Sequence, residues 1–513
     1  MIFILISIDR RSVVFYDVAI NEDEVDEMRR LFLILAVCLG TFMATLDISI
    51  VNVALPAIGE DLGASLSMLQ WIIDAYALCL SALILSVGPI SDRYGRKKVW
   101  LMGIVIFTLG SAICAFSTSS QMLIIGRIIQ GIAAAALIPG ALSIITQAFN
   151  NDIERIKIIG VWSAVSALSL IIGPILGGFL VDTFDWMTIF LINIPIGLLT
   201  LFLGYVGIDE SADPDKAAFD PLGQLLSVVA LGSVTFALIE AGDKGWGNYL
   251  TMGGLIIFLM AVLVFIWVEK RVKKPLLPFF LFKKNPYFFQ YNMASFALGF
   301  ATYSNVFFIA LFLQKGQGWG AFEAGIRMAP EFIAMAIFSF SFGKLSRFLS
   351  VRHLMIVGFI LIASASLLLT QVNSKTHYLP IALILSVLGA GMGMSTPAIG
   401  ALVMASVEKA YSGIASAIMN ALRQTGMTLG IALLGTLMTH RAVSQLLHDD
   451  RLNSAMSSHE IEHLIHNSGS MPSLLVEQLT RSAFASGFNV AMFGGAMAII
   501  ATLCLMMKNK IIK

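Results

Sequence analysis

The sequence predicts an all-α polytopic membrane protein of fourteen spans, built as two six-helix bundles with two further transmembrane helices inserted between them. Three observations carry this. Of 513 residues, 58% are hydrophobic and only 13% charged, far more apolar than a chain whose solvent is water. Fourteen stretches are long enough to cross the hydrocarbon core, which takes roughly 20 mostly apolar residues. Lys and Arg gather in alternate short loops, the pattern that sets orientation in a membrane.

The first six stretches are 31–55, 67–88, 98–117, 121–145, 158–181 and 187–206. Two more occupy 222–241 and 249–268, and the last six are 288–313, 322–343, 353–371, 379–403, 413–438 and 482–507. The chain therefore divides into an N-terminal tail (1–30), a first bundle (31–206) and a linker region with the two extra spans (207–287). A second bundle (288–507), with an outer loop at 440–481, and a short tail (508–513) complete it. The basic clusters are Arg29-Arg30, Arg93 to Lys98, Arg155 with Lys157, Lys270 to Lys284, Lys344 to Arg352 and Lys508 to Lys513. All six fall on one side, which puts both termini in the cytoplasm and the chain in the cell (inner) membrane. One loop, 207–221, breaks the rule: it is cytoplasmic yet acidic, through Asp209, Glu210, Asp213 and Asp215.

The apolar run at 1–8 is too short for a signal-peptide core and lacks a basic leader and a cleavage site. Spans begin only near Met28, so the first 27 residues read either as a cytoplasmic tail or as sequence upstream of the true start. Net charge is +1, which argues for no nucleic-acid partner. Cys38, Cys79, Cys114 and Cys504 lie in apolar runs without metal-ligand spacing, so they read as small hydrophobes with no disulfide and no metal. HEIEH at 459–463 fits the pattern of a zinc protease helix, but it sits in a loop far too small for a protease domain. Ile461, Leu464, Ile465, Leu474, Leu475 and Leu479 there read as amphipathic helices at the membrane interface. No phosphate-binding glycine loop is present, so an ATP-driven pump is not indicated.

Two places point to an internal repeat. Gly160, Ser163-Ala164, Gly173 and Gly177 in the fifth stretch recur as Gly413, Ser416-Ala417, Gly426 and Gly430 in the thirteenth, offset by 253 residues. GPISDR at 88–93 resembles GKLSRF at 343–348, offset by 255. Two related six-helix halves follow.

An ionisable side chain deep in a span costs at least ~2.5–3.5 kcal/mol, so each calls for a partner or a role. Asp47, Asp74 and Arg127 each lie six to nine residues from the outer ends of the first, second and fourth spans, which at 1.5 Å per residue places all three ~9–13 Å deep. They read as one buried Asp/Asp/Arg layer. Such a layer suits proton coupling, because burial and a nearby guanidinium pull a carboxyl group in opposite directions. In the second half Glu331 is a further candidate for proton coupling, with Arg327 one turn earlier as the counter-charge that would instead neutralise it. Arg423, beside Asn420 and Gln424, is deeper and has no partner evident in sequence.

These residues resemble the major facilitator superfamily, in its fourteen-helix drug:proton antiporter branch of the EmrB/QacA type, from about Met28 to the C-terminus. LDISIVNVALP at 46–56 resembles the branch's first-span signature, with Asp47 on its acidic position. GPISDRYGRKKVWL matches the superfamily's loop 2–3 motif at Gly88, Asp92, Arg93, Gly95, Arg96, Lys97 and Leu101. Its glycines permit a tight turn, while Asp92 can pair with Arg96 and cap a helix of the other half, forming a latch. LIIGRIIQGIAAA at 123–135 resembles the span-4 motif at Arg127, Gln130 and Gly131, and the resemblance ties that arginine to proton transfer. Gly173-Pro174 with Gly177-Gly178 resembles the antiporter motif, where glycines allow close packing and proline bends the helix. The chain departs from the family at Ser169, where glycine is usual, and at Met187, where arginine is usual.

The resemblance implies a major facilitator fold and proton-coupled export of amphipathic, cationic drugs by rocking of the two halves, driven by the proton gradient with no cofactor. The partners it implies are a small-molecule substrate, protons and lipid; the sequence leaves an accessory periplasmic adaptor open. A transporter of a defined metabolite such as a siderophore, peptide or organic acid is the main alternative, and Arg423 is the feature that invites an anion. A non-transporting sensor or membrane hydrolase is the third.

Overall fold

The computed structural model describes residues 4–9, 12–17, 22–149, 151–212, 220–272, 275–408, 411–453 and 474–508. Thirteen of its helices are long and apolar enough to cross a membrane. In the first half, span 1 is Glu22–Leu62, span 2 Leu66–Tyr94, span 3 Arg96–Ala115, span 4 Ser120–Ala148 and span 5 Asp152–Thr183. Span 6 runs over Thr188–Gly207. The inserted pair are span 7, Pro221–Lys244, and span 8, Tyr249–Glu269. In the second half, span 9 is Pro286–Gly316, span 10 Ala321–Leu345, span 11 Val351–Leu369 and span 12 Tyr378–Ala405. Span 13 is the helix Ser412–Leu447 and span 14 is Leu474–Lys508. Span 13 is the one expected span outside the thirteen: Asn420, Arg423 and Gln424 on one face, and Arg441 near its end, dilute its apolar character.

Span 1 starts nine residues before the stretch read as apolar. Ahead of it, Ile4–Asp9 and Ser12–Asp17 form an antiparallel hairpin where a plain tail was expected; both segments are rich in β-branched or aromatic residues, which favour strands. The outer loop is also shorter than expected. Leu474, Leu475 and Leu479 are not interfacial helices but the first turns of span 14, where Arg481 pairs with Glu477 one turn earlier at 2.6 Å. HEIEH and His466 lie outside the described residues, as do Asp213 and Asp215.

The repeat appears in the packing as well as in the spacing. A Cβ on Gly173 or Gly177 would overlap Ser49 and Ile50 of span 1, and one on Gly426 or Gly430 would overlap Phe296 and Phe300 of span 9. The same pair of glycines thus lets span 5 cross span 1 and span 13 cross span 9 at backbone contact. Gly131 of span 4 meets the Tyr76 carbonyl of span 2, and Gly389 of span 12 meets the Glu331 carbonyl of span 10, in the same way. Ser169, the departure from the motif, is buried with its hydroxyl on Thr45 of span 1. It adds a hydrogen bond to that crossing.

Two ends are distinguishable. The basic end carries the turns after spans 2, 4, 10 and 12. At the opposite end the halves touch: Asp182 of span 5 accepts from the Phe322 N–H at 2.9 Å, capping span 10. There too Lys315 pairs with Glu60 at 2.7 Å, and Gln314 donates to the Val53 carbonyl at 3.1 Å. At the basic end, positions Gly88, Gly160, Gly343 and Gly413 on spans 2, 5, 10 and 13 face open space. Span 7 lies along the seam between spans 2 and 13. Gln224 donates to the Ala82 carbonyl at 2.8 Å, Ser67 to Asp243 at 2.7 Å, and Thr436 of span 13 to the Leu238 carbonyl.

The loop 2–3 motif folds back on its own half. Gly95 has φ 107°, a backbone region that favours glycine, and Asp92 pairs with Arg96 at 2.6 Å. The expected cap on the other half is not made among the described residues. Instead Glu210 accepts from the Lys97 and Lys98 N–H groups at 3.1 and 3.2 Å, capping span 3, and Arg96 N–H donates to the Ser211 carbonyl at 2.9 Å. Glu210, from the acidic loop that broke the charge rule, is therefore held on the backbone of the basic loop. Replacing Glu210 by Ala removes this cap and lowers stability by about 1 kcal/mol, read as a lower thermal midpoint; an unchanged midpoint would show the carboxylate to be merely solvated. Farther along the same end, Lys284 pairs with Glu408 at 2.6 Å. Their hydrogen bond and mutual attraction hold the Glu408 carboxyl below its ordinary range and Lys284 above its own.

Candidate functional site

A partly open space lies between the halves. Its first-half wall is Ile48, Ser49 and Asn52 of span 1, Ile73 of span 2 and Leu170 of span 5. Opposite stand Tyr303 and Val306 of span 9, Phe332 and Met335 of span 10, Met392 of span 12, and Met427 and Ile431 of span 13. The wall is uncharged, largely apolar and rich in methionine, which adapts to irregular shapes.

Against the first-half wall, one helical position from Ile48, sits the buried ion pair. Asp47 and Arg127 are wholly buried and in direct contact. Gln130 ties them together: its carbonyl oxygen accepts from Arg127 at 2.8 Å and its amide donates to Asp47 at 3.1 Å. The same amide donates to Ser111 of span 3 at 2.8 Å. Arg127 also donates through Nε to the Ile72 carbonyl at 2.9 Å and lies over the Tyr76 ring at 4.5 Å. Tyr76 in turn donates to the Ala44 carbonyl at 2.9 Å. Spans 1, 2, 3 and 4 thus converge on one guanidinium–carboxylate centre. Gly131, next to Gln130, packs on the Tyr76 backbone, which holds span 4 close enough for Arg127 to reach span 2.

Asp74 is not part of this centre. On span 2 the positions Ile72, Tyr76 and Cys79 face span 4, and at 100° per residue Asp74 points away from them. It shares a face with Gln70, whose amide reaches the Ile431 carbonyl of span 13 at 3.4 Å. Asp74 is therefore turned to the seam between the halves, where both its carboxyl oxygens are buried without a hydrogen-bond partner. The expected three-member layer is a pair plus a separate carboxyl group.

Glu331 differs from expectation too. Arg327 does not neutralise it: that guanidinium stacks on Trp319 at 3.5 Å and Tyr378 at 5.1 Å, drawn outward by two aromatic rings. Glu331 is wholly buried, with neither oxygen hydrogen-bonded. Its neighbours Phe332 and Met335 line the cavity.

In span 13, Arg423 donates to Asn420 Oδ1 at 2.7 Å, and Asn420 donates to the Ser416 carbonyl at 3.0 Å. The Arg423 guanidinium lies over the Tyr303 ring at 5.3 Å. Tyr303 reaches that position because span 9 widens into a π turn at Gly299–Tyr303, a local distortion often found at functional sites. There Gly299 packs on the Arg423 carbonyl. Gln424 is buried on the same turn. Among the described residues no group of His, Cys, Asp and Glu is arranged to hold a metal.

The superfamily described as Major Facilitator Superfamily matches residues 37–431. The chain is 33% identical over 406 residues to the methylenomycin A resistance protein of Bacillus subtilis, covering 79% of this chain and 86% of that one. It is 33% identical over 428 residues to multidrug resistance protein 3 of the same organism, covering 83% and 82%. Among solved structures, a bacterial homologue of the human lysosomal transporter Spinster, in an inward-facing and unoccupied conformation, superposes with a TM-score of 0.63 at 20% identity, over 93% of this chain and 96% of that one. With its two related halves, inserted pair and central cavity, the chain belongs to the major facilitator superfamily of membrane transporters, in the fourteen-helix drug-exporter branch that its motifs resemble.

Proposed function

We propose that the chain is a proton-coupled exporter of amphipathic drug-like compounds, working by alternating access in the cell membrane with its basic end in the cytoplasm. One observation carries this: the Asp47–Arg127–Gln130 centre backs directly onto an apolar cavity between two halves that are bonded to each other at the end opposite the basic loops. A proton taken by Asp47 weakens its hold on Arg127, and a shift of either side chain reaches the wall through Ile48 and Ser49. Proton and substrate are thereby linked through one span. Asp74 at the seam and Glu331 beside Phe332 are the other carboxyl groups placed to exchange protons as the halves move. The relatives named for resistance to antibiotics support export as the direction.

The wall selects substrates with a hydrophobic body, received by Tyr303, Phe332 and the methionines. A defined organic-acid metabolite is the second reading, and Arg423 is the observation that favours it. The test is proton flux in proteoliposomes under an imposed pH gradient. Addition of an amphipathic substrate releases protons from the loaded vesicles if the reading holds; silence with hydrophobic cations, neutral compounds and organic acids alike rejects it.

A further inference from the structure

A positive charge stands against one residue of the cavity wall, Tyr303. None of the twelve wall residues is ionisable other than the Tyr303 phenol. Of the three carboxyl groups in the spans with no exposed surface, Asp47 is engaged by Arg127 and Gln130, and Asp74 and Glu331 are off the wall. Arg423 is placed differently. It stands one helical turn from the wall residue Met427, on the side of the basic end, and shares the Tyr303 ring with the cavity.

Among the described residues Arg423 has no carboxylate partner within ion-pair distance. Asp74, on the span packed against it, makes no bond to it. A guanidinium carries five N–H donors in a planar fork. One is used, on the uncharged Asn420; Tyr303 covers the face; and the buried Nε has no partner. What is missing is an acceptor in the plane of the fork, the geometry in which a carboxylate binds arginine through two parallel hydrogen bonds.

We propose that Arg423, oriented by Asn420 and Tyr303, is an anion subsite at the basic-end edge of the cavity, and that substrates include amphipathic compounds with a carboxylate beside an apolar body. The acid end would meet Arg423 as the compound enters from the basic end, and the apolar body would extend past Tyr303 to Phe332 and the methionines. This inference rests on the cavity being the substrate site, and it reverses the cationic preference that the family resemblance implies.

The test compares three ligands with one hydrophobic body: 4-phenylbutyrate, its methyl ester, and 4-phenylbutyl-trimethylammonium. Each is titrated calorimetrically into the purified full-length protein in lipid nanodiscs, with no proton gradient. The carboxylate should bind at least about tenfold more tightly than the ester, as expected for a charge-assisted pair. In Arg423→Gln that ratio should fall to about one, and in Arg423→Lys, which keeps the charge but not the fork, to an intermediate value. An ester or ammonium that binds wild type as tightly as the carboxylate overturns the subsite, whether or not either variant folds. So does a monodisperse Arg423→Gln protein with the wild-type ratio. Binding is read without proton movement, so failure of proton flux with all three ligands would fault the export reading while leaving this result to stand.

Discussion

Asp47→Asn abolishes substrate-driven proton release, to below roughly a hundredth of the wild-type rate, as expected when a group that must change protonation can no longer do so. The amide is close in shape and can still meet Gln130, but it neither takes nor gives a proton. It also leaves Arg127 buried without a counter-charge, and breaking one side of a buried pair costs about 3–5 kcal/mol. Loss of activity alone would therefore not separate coupling from folding. The double variant Asp47→Asn/Arg127→Gln does so, because it removes both charges and leaves neutral, hydrogen-bonding side chains among Gln130, Ser111 and Tyr76. Its folded yield in detergent should recover towards wild type while proton release stays absent. Full proton-coupled transport by a folded Asp47→Asn protein would remove this residue from the mechanism.

The spans were legible because lipid demands long apolar helices, and the glycine spacing of spans 5 and 13 was legible because both halves solve the same crossing with the same residues. The Asp47–Arg127 pair could be read from depth alone, since distance from the membrane surface follows from residue number. Depth gives height, however, and not azimuth. Asp74 lies at the same level yet turns to span 13, and only the identity of the helix packed on each face of span 2 reveals it. Arg327 shows a second limit. Glu331 one turn away was its evident partner by spacing, whereas Trp319 and Tyr378, which hold it, arrive from a connecting loop and from span 12. The π turn at Gly299–Tyr303 has no signal in composition, and it decides where the cavity's one phenol ring stands. Glu210 was noticed only as a charge on the wrong side of the membrane; that mismatch was the trace of its contact with the basic loop.

The closed end offers the second large effect, because there the halves meet at glycine. A Cβ on Gly178 would stand 2.5 Å from the Ala321 carbonyl oxygen and from the Phe322 Cα. One on Gly325 would overlap the Pro174 carbonyl of span 5. Both contacts are backbone, which cannot rotate aside, so Gly178→Leu or Gly325→Leu forces spans 5 and 10 apart at that end. Overpacking of this kind costs about 1–3 kcal/mol. Unlike the glycines within a half, these two lose their clash when the halves rock, so the penalty falls on one conformation only. A difference of that size shifts a two-state equilibrium by roughly 5–150-fold towards the state open at the end opposite the basic loops. A membrane-impermeant thiol reagent added from that side should then label a single cysteine at the cavity position Met335, in a background freed of the four native cysteines, many times faster than in the parent. Gly430→Leu supplies the contrast. Its clash with the Phe300 carbonyl lies inside the second half and persists in every conformation, so it should reduce folded yield without altering the labelling of whatever protein remains. Equal labelling of the Gly178→Leu and parent proteins would mean that the seam between spans 5 and 10 does not part during transport, and with it would go the rocking motion of the two halves.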